Sequence, residues 1–158
     1  MDGKFLLSIR TEKVRLVLQR VSTASVKVSG EVVGEIGRGL LVLVGIERRD
    51  GPEKVRAAAG KLAGLRVFED AAGKMNLDLA AVGGAFLIVS QFTLAGSVAK
   101  GRRPSFDRAA PPAEAEPLVD ALVADLRGRG FRVETGRFRA MMEVALVNDG
   151  PVTLVADF

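Results

Sequence analysis

The sequence predicts a single mixed α/β domain, and three observations carry that prediction. The chain has 158 residues, the size of one domain with a real core. Short apolar runs, several of them alternating, recur between turn residues and read as strands. Two longer stretches carry the helical period, and no linker or internal repeat divides the chain. Apolar residues make up 48% and charged residues 27%, which is a globular and not a disordered balance.

The elements follow in order. Residues 1–13 are expected to form an N-terminal extension outside the fold, with the domain proper at 14–158. Val14 to Val21 alternates over part of its length and reads as a strand. Ala24 to Ser29 and Glu31 to Ile36 alternate around Ser29-Gly30, a hairpin signal. Gly37-Arg38-Gly39 breaks the chain before Leu40 to Ile46, a near-continuous apolar run typical of a central strand buried on both faces.

Asp50-Gly51-Pro52-Glu53 reads as a helix start, and Val55, Ala58, Ala59, Leu62 and Ala63 carry the period to Gly64. Leu65 to Phe68 is expected as a short strand and Glu69 to Gly73 as a polar turn. Leu77 to Val82 is compatible with a helical or an extended piece. After Gly83-Gly84, Ala85 to Val89 is a buried strand. The loop from Ala95 to Arg108 follows. Pro111-Pro112 precedes a second helix with Leu118, Leu122, Val123 and Leu126 on one face and Gly128 to Gly130 at its end. Phe131 to Glu134 and Met142 to Val147 are expected strands. Asn148-Asp149-Gly150-Pro151 is expected as a tight turn, and Val152 to Val155 as the last strand. The tally is seven or eight strands and two helices.

Composition excludes a good deal of chemistry. There is no Cys and no His. A disulfide framework, a thiolate nucleophile and thiolate or imidazole metal ligation are therefore closed, as is the commonest general base near neutral pH. The carboxylates Glu69, Asp70, Asp107, Asp120 and Asp149 show no paired spacing for acid–base work or magnesium. A net charge of +4 favours an anionic partner without naming one. No apolar run is long enough for a membrane span, and residues 1–13 are too poor in apolar content for a signal peptide. The expectation is a cytoplasmic protein without metal or cofactor.

Three stretches are candidates for function. The central strand turns polar within one residue at Ser90-Gln91-Phe92-Thr93, placing hydroxyls and an amide at the rim of a core, where ligand sites sit. The competing reading is a strand that simply surfaces. Lys100, Arg102, Arg103 and Arg108 have the charge to hold phosphates, or to face solvent. Phe106 beside them suits base stacking or loop anchoring. In Asn148-Asp149-Gly150-Pro151-Val152-Thr153, Gly opens dihedrals closed to other residues and Pro fixes φ, so the carbonyls point in a set direction. A plain β-turn is the alternative. Gly34-Glu35-Ile36-Gly37-Arg38-Gly39 has the wrong spacing for a dinucleotide motif, and no helix follows it.

Together these stretches closely resemble the D-aminoacyl-tRNA deacylase family, historically D-Tyr-tRNA deacylase. The likeness runs from Val14 to the C-terminus. It includes Gln19-Arg20-Val21, Gly37-Arg38-Gly39-Leu40-Leu41-Val42 and Leu65-Arg66-Val67-Phe68-Glu69-Asp70. It continues through Gly73-Lys74-Met75-Asn76, Ser90-Gln91-Phe92-Thr93 and Lys100-Gly101-Arg102-Arg103-Pro104-Ser105-Phe106. It closes with Glu134-Thr135-Gly136-Arg137-Phe138 and Asn148-Asp149-Gly150-Pro151-Val152-Thr153.

The resemblance implies a curled, barrel-like mixed sheet with about two packed helices. It implies a homodimer with active sites at the subunit interface, each receiving the Gly150-Pro151 turn of the other subunit with that peptide bond cis. Cis is a minority outcome, about 5–6% of X–Pro bonds. In the family this turn is a chirality filter whose carbonyls engage the α-amino side of the substrate and leave no room for an L side chain. The implied reaction is hydrolysis of the ester of D-aminoacyl-tRNA, and of mischarged glycyl-tRNA, as chirality proofreading in translation.

Ser90, Gln91, Phe92 and Thr93 are the implied catalytic stretch. Main-chain N–H groups around Gln91 and Phe92 are expected to hold the oxyanion, worth about 10²–10³ in rate per donor. The tRNA 2′-OH is expected to help activate water. Thr93 is the alternative nucleophile, though a hydroxyl needs an activating partner. Phe138 and Met142 would line the adenosine or substrate pocket, Arg20 would brace the Gly-Pro turn, and Asn148 belongs to the filter. Lys100, Arg102 and Arg103 would grip the acceptor stem.

The sequence departs from the family pattern at Ala95-Gly96-Ser97-Val98-Ala99, nearly stripped of charge, at Arg139, where Gly is usual, and at Met141, where a polar residue is common. Two rival functions remain at this point. One is a non-catalytic nucleic-acid-binding protein on the same fold; the other is a hydrolase of small D-amino acid esters.

Overall fold

The computed structural model describes residues 13–158. The expected extension at 1–13 lies outside the described residues except for Lys13, whose carbonyl accepts the Glu47 N–H and whose own N–H donates to the Glu47 carboxylate. Everything else hangs on one long strand, β1 (Val14–Val28), followed by β2 (Glu31–Ile36) and β3 (Gly39–Ile46). β1 runs unbroken through the residues expected to separate two strands. Its alternation buries Val14, Leu16 and Leu18 in one core and, past Arg20, Val21, Ala24 and Val26 in a second. The Ser29-Gly30 hairpin is as expected, with positive φ at both residues and Val28 opposite Glu31.

Helix α1 (Pro52–Gly64) starts at Gly51 with Pro52 in its first turn, as the sequence predicts. The next segment differs from expectation. Leu65 to Val67 is irregular, and β4 (Phe68–Glu69) pairs with β5 (Met75–Leu77) as a small hairpin. The Asp70 carboxylate closes it, accepting the Ala72 and Lys74 N–H groups. Those backbone bonds, first of all Lys74, hold the Asp70 carboxyl below its usual range. A two-residue strand carries too little pattern to be read beforehand. The undecided stretch after Leu77 is a series of turns.

Strand β6 (Ala85–Ser90) runs parallel to β3, and β7 (Val133–Thr135) runs parallel to β6. Helix α2 (Pro112–Gly128) makes the crossover between them and packs beside α1. The sheet order is β2-β1-β3-β6-β7. It curls until β2 approaches β7, where Arg132 donates to the Glu35 carbonyl at 3.0 Å. The result is a nearly closed, barrel-like mixed sheet. One apolar core (Leu16, Leu40, Val42, Phe86) lies beneath the helices. A second (Val21, Val26, Leu41, Leu87, Val89) fills the barrel. β3 is buried on both sides between them, which explains its unbroken apolar run.

The last strand corrects the sequence reading most. β8 (Glu143–Asp157) is one strand antiparallel to β1, not two strands joined by a turn. Between the pairs Val21↔Asn148 and Gln19↔Thr153, β8 carries Asp149 to Val152 where β1 carries only Arg20. The expected turn is thus a bulge extruded from a continuous strand. No helix among the described residues is long and apolar enough to cross a membrane.

Candidate functional site

β3 and β6 run out at the same end of the sheet, Ser90 closing β6 opposite Val44 while β3 continues to Ile46. The carboxyl ends of parallel strands are where open sheets leave room for ligands. A short 3-10 helix, Phe92–Ala95, turns the chain away immediately after β6. Gly45 lets it do so closely, since a Cβ there would meet the Leu94 Cβ at 2.7 Å. The space left open is a pocket of about 690 Å3, within the range of small-molecule sites.

Its lining brings together what the sequence singles out separately. Ser90, Gln91, Phe92 and Thr93 form one wall, and Phe138 and Met142 another. Ile46, Val89 and Val144 make the remainder largely apolar, and Pro112 and Ala115 bring the first turn of α2, its positive end, to the rim. Gly136 allows Met142 to reach inward, because a Cβ at that position would lie 2.7 Å from the Met142 sulfur. Phe92 and Phe106 meet edge to face at 5.3 Å, so Phe106 anchors its loop to the pocket wall.

The hydrogen bonding narrows the chemistry. The Gln91 N–H donates to the Val44 carbonyl at 2.8 Å and is engaged within the sheet. The first bond of the 3-10 helix is Leu94 N–H to the Gln91 carbonyl. The Phe92 and Thr93 N–H groups precede it and have no acceptor within that helix. The Gln91 side-chain amide donates to the Thr93 hydroxyl oxygen at 2.9 Å. A lone pair engaged by a donor is a poorer nucleophile, and no base lines the pocket to take the hydroxyl proton. Among the described residues the only charged one lining the pocket is Arg139. Among the described residues no group of acidic side chains could hold a metal ion.

The other predicted residues build a separate feature. Arg20 is only 5% exposed, and its Nε donates to the Asp149 carbonyl and its Nη1 to the Val67 carbonyl, both at 2.8 Å. The Asp149 and Glu69 carboxylates lie at 3.6 and 3.9 Å from the same guanidinium. Asn148 ties the bulge from its other side, accepting the Val152 N–H at 2.8 Å and donating to the Thr153 hydroxyl at 3.0 Å. Gly150 takes φ 155°, and the Gly150–Pro151 bond is cis, as the resemblance implies. The turn is exposed and lines none of the pocket of its own chain.

Lys100, Arg102 and Arg103 are exposed on the loop pinned by Ser97 and Ser105, which exchange backbone bonds at 2.7 and 2.8 Å. Lys100 lines a second cleft with Arg15, Glu47 and Arg108, and not the pocket at the strand ends. Sequence reasoning missed Ala110, Pro112 and Ala115 as pocket residues. Small apolar side chains leave no signal of their own.

Comparison with known proteins bears on the same residues. A family model described as D-Tyr-tRNA(Tyr) deacylase matches residues 17–157. A protein of Anaeromyxobacter dehalogenans (strain 2CP-C) named D-aminoacyl-tRNA deacylase is 60% identical over 144 residues, 91% of this chain and 97% of that one. A solved structure of a c-Myc DNA unwinding element binding protein superposes with a TM-score of 0.84 at 40% identity. It covers 90% of this chain and 97% of that one. A probable eukaryotic D-amino acid tRNA deacylase gives a TM-score of 0.82 at 22% identity, over 92% of this chain and 100% of that one, a likeness of fold.

Proposed function

The chain belongs to the D-Tyr-tRNA(Tyr) deacylase family, and from that premise we propose how its own residues carry out the reaction. It hydrolyses the ester bond of D-aminoacyl-tRNA, releasing free D-amino acid and tRNA. The observation that carries the mechanism is the pocket at the ends of β3 and β6, lined by Ser90 to Thr93 yet holding no acid or base.

Such a pocket accelerates ester hydrolysis by electrostatics and positioning. The aminoacyl ester lies against the 3-10 helix with its carbonyl oxygen toward the Phe92 and Thr93 N–H groups. These donors stabilise the oxyanion as water adds, each worth about 10²–10³ in rate. The ribose 2′-OH beside the ester helps orient and activate the attacking water, so substrate supplies the group the chain lacks. Ser90, Gln91 and Thr93 orient the site through their hydrogen bonds. Phe138 and Met142 pack the adenosine. Lys100, Arg102 and Arg103 hold the acceptor stem electrostatically, so activity weakens as salt rises. No metal or cofactor has a part in this scheme, and mischarged glycyl-tRNA passes by the same route.

Chirality is read by the bulge of a second subunit. Two observations support a homodimer. β8 pairs only with β1 among the described strands, leaving fifteen residues of open edge. It also exposes Val147 and Val155, 57% and 64% accessible, beside the bulge. Exposed apolar strand edges of this length are ordinarily covered. With the partner docked there, the Gly150-Pro151 carbonyls face the α-amino side of the substrate, and the rigid turn occupies the space of an L side chain. The protein works in the cytoplasm, where translation supplies its substrate.

The test is deacylation of matched D- and L-aminoacyl-tRNA, with glycyl-tRNA alongside. The natural sequence should clear the D and glycyl substrates and spare the L. Pro151→Ala should reduce the D-over-L ratio by about tenfold or more. Equal rates on both enantiomers before and after the change would remove the bulge from its role.

A further inference from the structure

One residue of the pocket is not explained by the scheme above. Arg139 sits in the wall between Phe138 and Ala140. The Ala140 N–H bonds the Arg137 carbonyl at 3.2 Å, closing a four-residue turn whose third position is Arg139 at φ 64°. A positive φ there, after a residue without one, has the sign pattern of a type II turn, whose third position takes Gly or Asn. Two other non-glycine residues have positive φ, Ser29 in the hairpin and Arg49 in the loop before α1, and neither lines this pocket. Among the described residues only Arg139 combines an unfavourable backbone with a place in the site.

Backbone strain held at a site is an observation from which function can be inferred. The Arg139 side chain is exposed and makes no hydrogen bond or ion pair with the other described residues. No carboxylate lines the pocket to neutralise it, and the first turn of α2 adds its positive pole to the same rim. The pocket is therefore net cationic at a point where a glycine would leave it neutral. An aminoacyl ester of RNA offers two charged groups near its reacting carbonyl. The α-ammonium would be repelled by a guanidinium. The phosphodiester on the 5′ side of the terminal ribose would be attracted, and guanidinium planes suit phosphate oxygens.

We propose that Arg139 is a substrate-positioning residue that binds the phosphodiester of the terminal nucleotide while the ester lies in the pocket. The assignment rests on the deacylase reading given above. It makes this chain select RNA esters over small D-amino acid esters at the pocket itself, in addition to the distant basic loop.

The experiment compares D-aminoacyl-tRNA with the corresponding D-aminoacyl-adenosine, which lacks that phosphate, at several salt concentrations. Arg139→Gln should raise KM for the tRNA substrate with kcat little changed. The ratio of kcat/KM between the two substrates should fall about tenfold, and the salt slope should drop by about 0.7, one single-strand phosphate contact. Arg139→Lys should restore part of both. Arg139→Gly, which relieves the backbone, should give the same loss in a fully folded protein. If the ratio and slope are untouched while the natural sequence hydrolyses both D-esters, the phosphate assignment falls and the deacylase reading stands. If the natural sequence hydrolyses neither, both fall.

Discussion

The pocket at the end of β6 and the bulge on β8 are built on opposite principles. The pocket is concave, largely apolar and, among the described residues, lined by no acid or base. The bulge is convex and exposed at its tip, yet its base is pinned by a nearly fully buried arginine and three asparagine hydrogen bonds. One is an open socket, and the other is a peg pinned at its base that lines none of its own chain's pocket. On the reading proposed above, the difference teaches that the two belong together across a pair of chains, the peg of one meeting the socket of the other.

The strongest way to break that comparison is to place the two defects on different chains. A pocket variant such as Phe138→Asp and a bulge variant such as Pro151→Ala should each be inactive or indiscriminate by itself. Mixed and allowed to exchange subunits, they should recover about a quarter of natural stereospecific activity, because half the dimers are mixed and each carries one complete site. A mixture no better than its components would show that peg and socket do not meet across subunits.

The next effect tests the peg's footing. Arg20→Met removes the donors to the Asp149 and Val67 carbonyls and leaves the Asp149 and Glu69 carboxylates without their shared cation. The two carboxylates are more than half exposed and stay solvated, so the loss is set by the two charge-assisted bonds to the carbonyls, about 3 kcal/mol together. Urea unfolding should show that loss, with D-over-L selectivity falling in the material that remains folded. Selectivity unchanged in a destabilised protein would make Arg20 a packing residue only.

These two regions were not equally legible in the sequence. The socket was visible because its strand changes character abruptly at Ser90, and because β3 and β6 are apolar enough to be recognised as central. Its far walls were not, since Ala110 and Ala115 reach it only through the crossover that α2 makes. The peg was recognised by its residues but mistaken in form. Gly150-Pro151 carries a turn signal, and a turn ordinarily reverses the chain. Here the hydrogen bonds to β1 resume on the same course at Thr153, an outcome set by register and by the size of Arg20, neither of which local composition encodes. The proposed oxyanion donors lie one residue further along for a similar reason. Val44 claims the Gln91 N–H because β3 outlasts the β6 ladder by that one bond.

The smallest effect lies at the other end of β8 and asks whether the bulge is special along its strand. Arg15 grips Asp157 with two bonds, Nε to Oδ1 at 2.8 Å and Nη2 to Oδ2 at 3.1 Å, with the Lys13 ammonium 3.5 Å away. The hydrogen bond from Arg15 holds the Asp157 carboxyl below its usual range, against a smaller opposing cost of burial. A depressed carboxylate stabilises the fold above its unfolded pKa of about 3.9 and loses that contribution as pH falls through the folded value. The pair is about one-third accessible, so solvent screening limits it to roughly 1 kcal/mol or less. Asp157→Asn should therefore lower Tm slightly at pH 7, with the difference from the natural sequence fading below about pH 4. An Asp157→Asn loss at pH 7 as large as that of Arg20→Met would mean that β8 is fastened equally along its length. The bulge would then be one more sheet contact, and its buried arginine would not mark it as a part kept rigid for a partner.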